Sequence, residues 1–130
     1  LRVKLRRLEE WNEVRRRVAS WYDELLGGQD SITLPRVSED AAHVFHLYVV
    51  QIENRDGVLK MLNEQGIGAG VHYPVPLHEQ PVFAHLGYVS DDLPVTAAVA
   101  RRVLSLPLFP EMTRNQAEQV AEALIAAVSL

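Results

Sequence analysis

The segment Gly66-Ile67-Gly68-Ala69-Gly70-Val71-His72-Tyr73-Pro74-Val75-Pro76-Leu77-His78-Glu79-Gln80-Pro81 collects three glycines, three prolines, two histidines and a tyrosine. Pro74 and Pro76 push the residues before them, Tyr73 and Val75, out of the helical region, so this backbone runs extended whatever surrounds it. Successive side chains on extended backbone point to opposite sides, which sends His72 one way and Tyr73 the other. A stiff segment that fixes an imidazole and a phenol suits the wall of a binding site. A proline-rich exit from a strand accounts for the same residues without a ligand.

The chain opens in helical register at Leu1-Arg2-Val3-Lys4-Leu5, without an initiator Met or a capping Ser, Thr, Asp or Asn. Leu1, Leu5, Leu8, Trp11, Val14, Val18, Tyr22 and Leu25 follow steps of three and four, which predicts one long amphipathic helix ended by Gly27-Gly28. A start inside a helix leads us to expect the C-terminal part of a longer protein. Within it, residues 1–130 are expected to form a single domain, since 130 residues suffice for one core.

Composition closes several classes. Without cysteine there are no disulfides and no thiolate metal sites. No apolar run reaches the roughly 18 residues of a membrane span, and no signal-peptide pattern is present, so a cytoplasmic protein with no membrane partner is expected. The formal net charge is −4, yet Arg2, Lys4, Arg6, Arg7, Arg15, Arg16 and Arg17 crowd the first helix. Glu9, Glu10 and Glu13 interleave with them, and Glu13 and Arg17 are spaced for an i,i+4 pair worth about 0.3–0.5 kcal/mol. The simplest reading is a solvated face with no nucleic-acid partner, because the remainder is acidic and aromatic interleaving is lacking.

Further along, a loop over 27–41 leads to a central strand over 43–52, with apolar residues on both faces. Asn54 is placed to cap a helix over 55–65 that turns Val58, Leu59, Met61 and Leu62 inward, with Gly66 as its left-handed terminator. A short strand over 69–73 and one or two helical turns over 80–87 follow. Pro94 opens a helix carried inward by Val95, Val99 and Val103, and Leu104-Ser105-Leu106 reads as a strand. Thr113-Arg114-Asn115-Gln116 fits a capping box, starting a helix that buries Ala117, Val120, Ala121, Leu124, Ile125 and Val128. The expected fold is α/β, of an α+β-like small-domain kind. It has a small mixed, largely antiparallel sheet of about three strands, packed with helices, and a long N-terminal helix.

Other motifs fail on context. Gly66, Gly68 and Gly70 imitate a dinucleotide fingerprint, but the order here is helix then strand. His43, His46, His72, His78 and His85 show no metal-ligand spacing, so no metal is expected. No serine has a nucleophile-elbow setting.

Taken together, Leu8-Glu9-Glu10-Trp11-Asn12, Trp21-Tyr22-Asp23-Glu24-Leu25-Leu26, His46-Leu47-Tyr48-Val49-Val50, Arg55-Asp56, Gly66-Ile67-Gly68, Val71 through His78, Leu93-Pro94-Val95 and Leu104 through Thr113 form a collinear series. It resembles the C-terminal part of DegT/DnrJ/StrS-type nucleotide-sugar aminotransferases. The resemblance implies the small C-terminal domain of a dimeric enzyme with the aspartate-aminotransferase-like fold (fold type I). Such an enzyme uses pyridoxal phosphate to move an amino group from an amino acid, usually glutamate, to a nucleotide-linked keto-sugar. It also implies that the cofactor and the Schiff-base lysine belong mainly to an N-terminal large domain absent from this sequence. In one departure from the family pattern, Ala97-Ala98 stand where an acidic residue is expected.

The residues agree about that missing half. Only Lys4 and Lys60 are available, one in a cation-rich helix start and the other on a solvated helix face. No Gly- or Ser-rich phosphate cup precedes a helix. This chain alone is therefore expected neither to hold pyridoxal phosphate covalently nor to transaminate, with no catalytic or cofactor-binding residue of its own. His72, Tyr73 and His78 are the candidate substrate-binding groups. A Tyr73 ring packed under the sheet and a satisfied core His78 are their structural alternatives. Arg55 could instead meet a carboxylate, but beside Asp56 at a helix start it reads more simply as a surface ion pair. The rival class is a non-catalytic binding or regulatory module that self-associates through Leu5, Leu8, Trp11, Val18 and Tyr22 of its first helix.

Overall fold

The structure is a computed structural model describing residues 1–129. The first apolar stripe is divided between two helices, α1 (Arg2–Leu5) and α2 (Leu8–Leu26), with a turn at Arg6 and Arg7. The single long helix expected from the spacing is thus broken near its start, where Leu1, Leu5 and Leu8 are exposed and find nothing to bury against. Val18, Ala19, Tyr22 and Leu26 are buried, and Leu26 takes the inward place expected of Leu25. Val18 and Tyr22 are fully enclosed by this chain's own core and are not available to a symmetric helix pairing.

The sheet has three strands in the order β1 (Ile32–Thr33), β2 (Tyr48–Ile52), β3 (Val103–Leu106), and both pairs are antiparallel. The fold class is as expected, with the central strand in place but shorter. Residues 43–47 approach it irregularly, with Phe45 at φ 43° and its N–H donated to Nδ1 of His43 at 3.0 Å. Tyr48, Val50 and Ile52 are buried while Val49 and Gln51 are half-buried, so β2 is fully covered on one face only. The strand expected over 69–73 is replaced by a single bridge between Gly70 and Ser105. Glycine weakens a ladder and proline cannot donate to one, so this segment leaves the sheet after one contact. Ile32 and Thr33 supply the remaining strand, opposite Ile52 and Gln51.

Residues of α2, α3 (Arg55–Glu64), α5 (Arg114–Val128) and the sheet build the main core. At its centre the rings of Tyr22 and Tyr48 lie 5.0 Å apart. Tyr22 donates its hydroxyl to the Pro107 carbonyl at 2.8 Å and Tyr48 donates to Asp23 Oδ1 at 2.6 Å. Desolvation pushes both phenols well above their ordinary pKa, and the Asp23 hydrogen bond and charge push Tyr48 further.

Asn54 sits at the N-cap of α3 at φ 47°, but its side chain makes no capping bond. It folds over Gly57 instead, where an added Cβ would stand 2.7 Å from the Asn54 amide nitrogen. Gly66, at φ 78°, ends the helical segment in the left-handed region as expected. The capping box of α5 forms: Thr113 N–H donates to Gln116 Oε1 at 2.9 Å and Gln116 N–H donates to Thr113 Oγ1 at 3.3 Å. Ala117, Val120, Ala121 and Leu124 are buried, while Ile125 and Val128 are half-buried.

The inward face of α4 (Pro94–Arg102) is Ala97 and Ala100 rather than the expected valines. Val95 is 75% exposed, Val99 half-buried, and Val103 is buried as the first residue of β3. Small side chains fit where this helix meets β2.

Arginines depart most from expectation. Glu13 and Arg17 are not among the ion pairs of the described residues; Arg17 lies 6.0 Å from the centre of the Trp21 ring, and Arg16 pairs with Glu9 at 2.8 Å. Arg15 donates to the carbonyls of Phe45, His46 and Leu108 at 3.4, 3.3 and 3.2 Å. Arg55 pairs with Asp56 but is no surface residue: it is 7% exposed and donates to the carbonyls of Ala100 and Val103. A guanidinium carries enough donors to satisfy carbonyls left open at a helix end, which is what permits its burial.

Candidate functional site

The chain leaves α3 through Gly66 and meets β3 at one point. Gly70 N–H donates to the Ser105 carbonyl at 3.0 Å, and Ser105 N–H donates to the Gly70 carbonyl at 2.8 Å. The Ser105 side chain adds a third tie, its Oγ lying 2.9 Å from His72 Nδ1. Beyond that point Pro74 and Pro76 keep the chain extended into short 3-10 turns at Leu77–Glu79, Pro81–Leu86 and Ser90–Asp92.

The His72–Tyr73 peptide is cis. The two rings meet edge to face with centroids 5.6 Å apart, so they do not point to opposite sides as expected. Side-chain alternation belongs to a regular strand, and this segment is not one.

His72, Tyr73 and His78 line one cavity of about 890 Å³, formed between the proline-rich segment and α4. Its walls are largely apolar, with Val75, Leu77, Leu93, Val95 and Val99 contributing. An apolar cleft with a few placed polar groups is the usual form of a small-molecule site. Tyr73 is 74% exposed and is not packed beneath the sheet.

His78 does not behave as a satisfied core histidine. Its side chain is 6% exposed, and Nε2 lies 3.5 Å from Glu79 Oε1 without a hydrogen-bond partner. Glu79 Oε1 in turn accepts from Ser90 Oγ at 2.6 Å, which ties the first 3-10 turn to the third. That nitrogen is enclosed by the protein, so His78 contributes to the cavity wall without presenting Nε2 to it.

The site lacks an amine nucleophile. Lys60 is exposed with Nζ 3.8 Å from Glu64 Oε1, Lys4 is exposed on α1, and neither lines the cavity. Among the described residues no three metal-ligating side chains gather, and no described helix is long and apolar enough to cross a membrane. His72 and Tyr73 give the cavity an imidazole and a phenol suited to oxygen-rich groups, with His78 and apolar surface beside them.

Sequence reasoning missed the residues behind the wall. Ser105 was visible only as one polar residue in an otherwise apolar strand. Arg55, expected as a surface ion pair, holds the carbonyls of Ala100 and Val103, two cavity-lining residues. Ala97, where the resemblance expects an acid, is buried.

Comparison with known proteins matches residues 1–125 to the model of the DegT/DnrJ/EryC1/StrS aminotransferase family. The "Pleiotropic regulatory protein" of Geobacillus stearothermophilus is 42% identical over 126 residues, covering 95% of this chain and 34% of that protein. The UDP-N-acetyl-3-dehydro-alpha-D-glucosamine 3-aminotransferase of Acidithiobacillus ferrooxidans is 40% identical, covering 95% of this chain and 33% of its own length. The crystal structure of S. venezuelae DesV in complex with a ketimine intermediate superposes with a TM-score of 0.94 at 36% identity, over 99% of this chain and 35% of that one. This sequence thus spans about a third of the relatives it matches. With the family model matched across nearly its whole length and the fold shared with DesV, the chain belongs to the DegT/DnrJ/EryC1/StrS aminotransferase family.

Proposed function

We propose that this chain is the small C-terminal domain of a homodimeric, pyridoxal-phosphate-dependent aminotransferase. The parent moves an amino group from a glutamate-like donor to a nucleotide-linked keto-sugar, and its place of action is the cytoplasm. The observation that carries this reading is the largely apolar cavity lined together by His72, Tyr73 and His78. Hydroxyl and phosphate oxygens of a nucleotide sugar match those donors, and its ring carbons match the apolar wall.

The residues present do not fit covalent attachment of pyridoxal phosphate. A Schiff-base lysine has to be partly unprotonated and placed against the cofactor, whereas Lys60 stands in solvent beside Glu64 and Lys4 lies away from the cavity. The lysine and the cofactor's phosphate site are therefore assigned to a large domain outside these residues. This chain contributes a wall of the substrate cleft and part of the domain and dimer interface.

The test is kinetic. In the whole protein supplied with glutamate and a nucleotide-linked keto-sugar, Tyr73→Phe is expected to raise the sugar KM about fivefold, roughly the worth of one hydrogen bond, with the fold intact. Unchanged kinetics would remove Tyr73 from the site. Borohydride-fixed pyridoxal phosphate found on Lys60 would overturn the division of labour between the domains.

A further inference from the structure

We propose that Ser105 is a positioning residue for His72, and that Gly70 is the clearance that lets it act. This rests on the reading of His72 as a substrate-facing group. Ser105 is 3% exposed, a polar side chain in a strand otherwise made of Val103, Leu104 and Leu106. Its Oγ lies 2.9 Å from His72 Nδ1, while its backbone exchanges both hydrogen bonds with Gly70, two residues before the imidazole. One residue of a buried strand therefore holds both the backbone that leads to the ring and the ring itself.

Gly70 completes the arrangement. A Cβ built there would stand 3.3 Å from His72 Cε1 and 3.9 Å from Nδ1, so the imidazole folds back over the glycine to reach the serine. With Nδ1 engaged, the ring cannot rotate freely, and Nε2 is the nitrogen left for a ligand in the cavity that His72 lines. A ring fixed in advance loses less freedom when substrate arrives, which favours binding over turnover as the quantity affected.

The test uses the whole protein with a nucleotide-linked keto-sugar. Ser105→Ala is expected to raise the sugar KM roughly fivefold, the scale of one lost hydrogen bond, and to change kcat by less than about twofold. In a His72→Ala background the same substitution should add less than about twofold, because its effect passes through the ring. Gly70→Ala, whose Cβ would crowd the imidazole at 3.3 Å from Cε1 and leave the serine in place, should raise the sugar KM in the same direction and covers the case in which Ser105→Ala fails to fold. In parallel, the His72 Nδ1 resonance in histidine-selective nitrogen NMR should move in Ser105→Ala and in Gly70→Ala.

A KM effect of equal size in both backgrounds, or an Nδ1 resonance that stays in place in both variants, overturns the proposal. If His72→Ala leaves the kinetics as they were while Nδ1 still moves, the reading of His72 as substrate-facing fails and the positioning by Ser105 stands.

Discussion

Arg55 donates from Nη1 to the Val103 carbonyl across 3.1 Å, joining the first turn of α3 to the point where α4 becomes β3. The same nitrogen reaches the Ala100 carbonyl at 3.2 Å, so the arginine supports one wall of the cavity from behind. Arg55→Met fills similar space but strands those carbonyls, and a buried acceptor left unmet costs about 1–3 kcal/mol. Urea unfolding should therefore show a loss of about 2–4 kcal/mol. Asp56→Asn should change stability by less than about 1 kcal/mol, because the Asp56 side chain is 84% exposed. An Arg55→Met variant as stable as the wild type would show that water replaces the guanidinium.

Alkaline pH should unfold the protein through Tyr22 and Tyr48. Both folded pKa values are raised by burial, so the stability tied to the neutral phenols is complete below the unfolded value of about 10. It is lost as pH climbs from there toward the folded values. Ionisation followed at the tyrosinate absorbance should coincide with loss of helical circular dichroism. Tyr48→Phe, which removes the hydrogen bond to Asp23, should shift the transition and lower stability at neutral pH by about 1–2 kcal/mol. Tyrosines that titrate freely near pH 10 in a folded protein would contradict the enclosed hydroxyls.

Acid acts through another pair. Arg114 donates to Glu24 at 2.8 Å, and that hydrogen bond, then the charge behind it, holds the Glu24 carboxyl below its ordinary pKa. A depressed folded value stabilises above the unfolded pKa and is lost as pH falls through the folded one. Arg114→Gln should thus flatten the fall in urea midpoint below about pH 4. The two proteins should differ least at the acid end, and a constant gap across the range would sink this assignment.

Thr113→Ala tests the start of α5 alone. Losing the cap should cost about 1 kcal/mol, visible in thermal unfolding, while Thr113→Asn should retain most of the stability.

Local rules made Gly66, Thr113 and the position of β2 legible, since each depends on neighbours within a turn or on unbroken apolar runs. β1 escaped because Ile32 and Thr33 are too few to show a period, and they become a strand only through pairing with Ile52 and Gln51. The valines of α4 misled because the helix buries its small residues, a choice set by β2 rather than by hydrophobicity. His72, Tyr73 and His78 stood out as candidates because of their stiff proline-rich frame, and the three line one cavity. Their edge-to-face and buried dispositions were not readable. Nor was the backing of Ser105 and Arg55, which depends on contacts between residues 33 and 48 positions apart in the chain.

The bridge between Gly70 and Ser105 also bears on how the protein survives at high concentration. β3 ends the sheet, and an uncovered outer strand is an open invitation to the backbone of another molecule. By occupying Ser105 on that side, the Gly70 segment denies the place to a stranger. Substitutions that loosen it should consequently lower solubility, so a poorly expressing variant in this stretch reports on the shielding of β3 as well as on the fold.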